Sequence, residues 1–125
     1  MPIYIDIHRL ERVVMIVAQG DISDDEVRKA AQDLLAADVA PFAKIIDSSA
    51  AAMNETPEQV AAIVRMMREG PGNESRGPVA CVVDAKKPGD AQLFAELSLD
   101  DRPIQLFTSL RAARRWAAEM VATRK

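Results

Sequence analysis

Val13-Val14-Met15-Ile16-Val17-Ala18-Gln19-Gly20-Asp21-Ile22-Ser23-Asp24-Asp25-Glu26 is the stretch that decides the fold class. Its first six residues are an unbroken apolar run, the pattern of an interior strand covered on both faces. Gly20 is expected to break that strand. Ser23 and Glu26 then stand three apart with acids between them. This is a capping box, in which hydroxyl and carboxylate each satisfy an orphan amide at the positive end of a helix. Val27, Ala30, Ala31, Leu34 and Leu35 fall on one face of the helix that follows. A buried strand feeding an amphipathic helix is the first half of a β-α-β unit.

Working outward, the pattern repeats. Upstream, Ile3, Ile5 and Ile7 alternate with Tyr4, Asp6 and His8, the period of a half-buried strand, which predicts an edge strand hairpinned onto the central one. Downstream, residues 37–41 end the first helix, and residues 42–46 predict a third strand stopping at Asp47. Thr56-Pro57-Glu58-Gln59 is a second capping box with proline at the first helical position. Val60, Ile63, Val64, Met66 and Met67 form the apolar stripe of that helix, and Gly70-Pro71-Gly72 ends it. Residues 73–77 form a polar loop. Residues 79–83 are a second continuous apolar strand, which ends at Asp84. Leu93, Phe94 and Leu97 share a face of a short helix, and residues 103–107 form the last strand. Thr108 or Ser109 caps a final helix with Leu110, Ala113, Trp116, Ala117, Met120 and Val121 inward. Arg111, Arg114 and Arg115 lie opposite.

The predicted order is β-β-α-β-α-β-α-β-α. It implies an α/β fold with a mostly parallel sheet, an edge hairpin strand and helices packed on both faces. No linker or repeat interrupts it, so residues 1–125 are expected to form a single domain.

Composition narrows the function. A chain of 125 residues can bury a core without disulfide or metal help. With one cysteine and one histidine, it has neither a disulfide framework nor a Cys-based zinc site. The net charge of −3 argues against binding nucleic acid through phosphate contacts. The absence of a long apolar run or a signal-peptide pattern points to a cytoplasmic chain with no membrane span. Charge is uneven, with residues 102–125 carrying a local +5 on a body of −8. Such a stripe can steer a partner, or can simply be the solvated face of a surface helix.

Three stretches resemble a known family: VVMIVAQGDISDDEVRKAAQDLL, AKIIDSSAAAMNETPEQVAAIV and IQLFTSLRAARRWAAEM. Together they resemble the STAS fold, and within it the SpoIIAA-like, STAS/SEC14-type bacterial domains. The resemblance implies a regulatory, non-catalytic protein-interaction role. In anti-sigma-antagonist relatives a serine in a DSSG sequence opens the second helix and is phosphorylated. Here Asp47-Ser48-Ser49 is followed by alanine and precedes the helix by several residues, leaving Thr56 as the hydroxyl near that position. SEC14-like relatives imply the alternative, a carrier or sensor of a small apolar or lipid ligand.

The candidate binding residues are therefore Asp47, Ser48, Ser49, Thr56, Met66, Met67, Arg111, Arg114 and Arg115. Asp21, Asp47 and Asp84 follow strand ends, where α/β sheets bind ligands, and three acids there could hold magnesium. The receiver pattern of adjacent acids and a late lysine is missing, however, and strand-end aspartates commonly cap turns. Thr56 suits an N-cap as well as a phosphoacceptor. The methionines can fill a core or line a pocket. Cys81 is a core thiol, inert when buried. His8 is expected to be exposed. No nucleophile elbow, phosphate loop or dinucleotide motif occurs, so neither an enzyme nor a cofactor is expected. The expected partner is another protein, with a small apolar ligand as the alternative, and the oligomeric state is open.

Overall fold

Ile3–His8 (β1) and Val13–Ile22 (β2) form an antiparallel hairpin in which Ile3 faces Ala18 and His8 faces Val13. Arg12 closes the turn in the left-handed region (φ 58), and its guanidinium sits 5.0 Å from the Phe42 ring centre. Ala43–Met53 (β3), Val79–Val82 (β4) and Ile104–Phe107 (β5) add in parallel, giving one five-stranded sheet in the order β1-β2-β3-β4-β5. The helices described along their whole length are Asp24–Ala36 (α1), Pro57–Arg68 (α2) and Leu110–Thr123 (α3). This computed structural model describes residues 3–53, 56–69, 77–84, 86, 92, 95–96 and 103–123. The expected Gly70-Pro71-Gly72 stop, the loop at 73–76 and the helix face of Leu93, Phe94 and Leu97 lie outside the described residues.

Parallel strands laid down in sequence order, joined by crossovers of one hand, must carry their connecting helices on one face. α1 and α2 do lie together, and their face of the sheet holds Val14, Ile16, Leu34, Val39 and Phe42, all buried, with Ile3, Ile5, Ile7 and Met67 packed around them. α3 follows the last strand and folds back over the other face, on β3, β4 and β5. Ala113 and Ala117, at 0% and 1% exposure, let it approach Ala43, Ile45, Ala80 and Val82 closely. Phe107 meets Trp116 at 5.8 Å between ring centres.

Both predicted caps form. Ser23 Oγ accepts from the Glu26 amide while a Glu26 carboxylate oxygen accepts from the Ser23 amide, and Thr56 and Gln59 exchange the same pair of bonds. Ser109, rather than Thr108, caps α3 by accepting from the Ala112 amide. α1 ends on Ala37, after which Asp38 takes a left-handed conformation (φ 58) that glycine more often supplies.

Two predicted boundaries are corrected. Gly20 does not end β2, and Asp47 does not end β3. Gly20 takes φ 74 within β2, and the two strands run on together as Gln19–Ile22 against Ala50–Met53. The β4 ladder with β3 runs only from Lys44 to Asp47, and beyond it β2 and β3 continue paired with each other. Mutual backbone pairing overrides the weak strand preference of the Ser- and Ala-rich segment.

Candidate functional site

The predicted site residues fall in three separate places. The first is the carboxyl edge of the sheet. Val17 pairs with Asp47 but Gln19 pairs with Ala50, so Ser48 and Ser49 together oppose Ala18 in a β-bulge. Asp47 Oδ1 accepts from the Ser49 amide at 3.1 Å and from the Ser49 hydroxyl at 2.6 Å, and Ser48 Oγ donates to the Val82 carbonyl at 3.4 Å. All three side chains thus tie down the irregularity. Asp84 accepts from the Lys86 amide in the same turn-capping manner, while Asp21 lies within β2 opposite Ala52. Among the described residues no three His, Cys, Asp or Glu side chains converge as a metal site requires. A cleft of about 320 Å³ opens beside this edge, lined by Val83, Leu106, Phe107, Thr108, Ser109 and Ala112.

The second place is the α1/α2 face. Met66 and Met67 are half-buried, and Met67 packs into the cluster around Val14 and Leu34. The cleft does not lie beside them. Cys81, 2% exposed in β4, has its thiol pushed up to about 12 by burial, which leaves it protonated and unreactive at neutral pH. Lys44 also belongs here and carries no sequence signal of its own. Although cationic, it is buried, and its Nζ donates to the carbonyls of Val39 (2.8 Å), Phe42 (3.2 Å) and Ala40 (3.3 Å). It staples the α1–β3 connection, against which Gly77 also packs. A Cβ on Gly77 would lie 2.2 Å from the Phe42 carbonyl oxygen, so only glycine fits.

The third place is the α3 face. Arg111, Arg114 and Arg115 are all exposed along α3. Beside the helix, on this face, no other described helix lies over β1 and β2. Residues opposite one another on antiparallel strands share a face, so Tyr4, Asp6 and His8 lie with Val17, Met15 and Val13 on the α3 side. Tyr4 is 53% exposed, and the turn residue Leu10 is 97% exposed. Val13, Met15 and Val17 are only half-buried, whereas their neighbours Val14, Ile16 and Ala18, facing α1 and α2, are buried. His8 Nε2 stands 3.1 Å from Asp6 Oδ2 on this surface. The apolar run of β2 therefore sits inside the sheet as expected but is fully covered on one face only.

A five-stranded, mostly parallel sheet with an antiparallel edge strand and, among the described helices, two on one face and one on the other is a SpoIIAA-like fold. A solved structure bears this out, that of an uncharacterised DUF3478-family protein with a SpoIIAA-like fold from Shewanella loihica PV-4. It matches with a TM-score of 0.59 and 16% sequence identity, covering 92% of this chain and 91% of that one. No family model matches the chain, and no curated protein matches it. Among the described residues, no helix is long and apolar enough to cross a membrane.

Proposed function

We propose that this chain is a non-catalytic, cytoplasmic interaction domain of STAS type that binds another protein through the open α3-side face of β1 and β2. The observation that carries this reading is the contrast along β2. Its apolar side chains are buried under α1 and α2 and left half-exposed beside α3, with Tyr4 extending the uncovered surface to the sheet edge. A half-covered apolar surface, rimmed by charge and extended by the exposed Tyr4, supports a contact site here. Asp47, Ser48 and Ser49 are engaged in the bulge, Asp84 in a turn, and Thr56 in a helix cap, as a structural role requires. Thr56 spends its oxygen on the α2 cap, which supports a domain that works without the helix-opening phosphoserine of anti-sigma antagonists.

The cleft lined by Leu106 and Phe107 favours a second reading, a carrier of a small apolar ligand. Native mass spectrometry of the protein isolated gently from its host separates the two. A complex with a second polypeptide is expected. A discrete non-protein adduct on a lone chain would replace the interaction reading with the carrier.

A further inference from the structure

We propose that the uncovered half of the α3 face receives one amphipathic helix of a partner protein, with its apolar side on Met15, Val17 and Tyr4 and a row of acidic residues along α3. This rests on the reading of the face as a contact surface and adds the chemistry of what fills it.

Dimensions set the space. Five strands about 4.8 Å apart span roughly 19 Å between the outer two. A helix with its side chains is about 10 Å across, so such a face takes two helices side by side. α3 lies on β3, β4 and β5, with Val13 and Met15 at the margin of its cluster, which among the described helices leaves the outer part of β2 and β1 as the berth for a second helix.

Charge sets the occupant. Trp116 points toward β5, where it meets Phe107. At 3.6 residues per turn, Arg114 and Arg111 lie about 160° and 140° around the helix from Trp116. Arg114 therefore stands on the flank that overlooks β2, about 80° from the sheet-facing Ala113 and Ala117, with Arg111 above it at about 140°, and both are exposed. The berth has a floor of Met15, Val17 and Tyr4, bordered on β1 by the exposed Asp6–His8 pair, and a wall that Arg114 and Arg111 make cationic. A helix entering it needs an apolar stripe and carboxylates on the side that abuts α3. A second copy of this chain fits poorly. Its α3 would set Arg111 and Arg114 against the same two arginines, and would turn the polar surface of Arg115 and Glu119 onto Met15 and Val17.

The test is an NMR titration of the intact protein with two synthetic 18-residue amphipathic peptides. Both carry the same leucine stripe, one flanked by glutamates and the other by lysines. The acidic peptide is expected to bind about tenfold more tightly than the basic one, from several exposed charge pairs each worth a fraction of a kcal/mol. Its amide shifts should centre on Tyr4, Asp6, Met15, Val17 and Arg114. The double variant Arg111→Glu, Arg114→Glu should reverse the preference while leaving amides on the α1/α2 face unmoved, which shows that it is folded. Equal binding of both peptides at this face would overturn the acidic helix but leave the contact surface standing. Shifts confined to α1 and α2, binding of neither peptide, or dimerisation of the chain through this face would overturn both.

Discussion

The two faces of the sheet are built to different degrees of completion. On one, α1 and α2 bury Val14, Ile16 and Phe42, and even a lysine is drawn in and satisfied by three turn carbonyls. On the other, α3 covers β3 to β5 and stops, leaving Tyr4 and the outward side chains of β2 accessible. The same strand, β2, lies between them and alternates buried and half-buried along its length. Substitutions on the closed face should therefore act on stability, and those on the open face on association.

The largest effect is expected where the closed face is tightest. Gly77→Ala places a methyl into the Phe42 carbonyl and should cost about 3 kcal/mol or more, measured by urea denaturation. Lys44→Ala comes next, at about 2–4 kcal/mol, because it strands buried carbonyls and leaves a void. A loss below ~1 kcal/mol at either site would mean that the α1–β3 connection is not fixed as described.

Thr56→Ala should lower stability by about 0.5–2 kcal/mol, with Thr56→Ser nearly silent, since the hydroxyl acts as a cap. Cys81→Ala should cost on the order of 1 kcal/mol near neutral pH. It should also change the alkaline limb. The unfolded thiol ionises near its ordinary value of 9.0 and the folded one near 12. The unfolded state therefore binds fewer protons between these values, and wild-type stability falls as pH rises through that window. The Cys81→Ala protein lacks this contribution, so its stability should decline less steeply above pH 9. Identical slopes would contradict the burial of the thiol. The smallest effect belongs to the open face, where Arg111→Ala should change stability by less than about 0.5 kcal/mol.

Much of the closed face was legible in the sequence, because its signals are local. Ser23 with Glu26 and Thr56 with Gln59 announce two helix starts by spacing alone, and the Ile3-Ile5-Ile7 alternation marks the edge strand. The continuation of β3 through Ala50–Met53 was not legible, since Ser48 to Ala52 carry no strand preference and are held by pairing with β2. Lys44 was equally hidden, because a buried amine is satisfied only once the Val39–Phe42 turn folds over it. The candidate residues Asp47, Ser48 and Ser49 could be named from sequence, but their shared bulge depends on the register with Val17 and Gln19. The open face was half legible. Asp6 and His8 were expected to face water, but only the placement of α3 shows that Met15 and Val17 on the same face are left half-buried.

The account turns on whether the open face meets a partner, and site-specific photo-crosslinking in the native host addresses that most directly. A photoreactive amino acid replaces Tyr4 on the open face in one variant and Gln32 on the exposed side of α1 in another. Irradiation should join the Tyr4 variant to one discrete protein, with the crosslink mapping to a helix in that protein, and should leave the Gln32 variant free. Equal adducts at both positions, or a discrete adduct at Gln32 alone, would contradict the claim that the face left open by α3 is where this domain does its work.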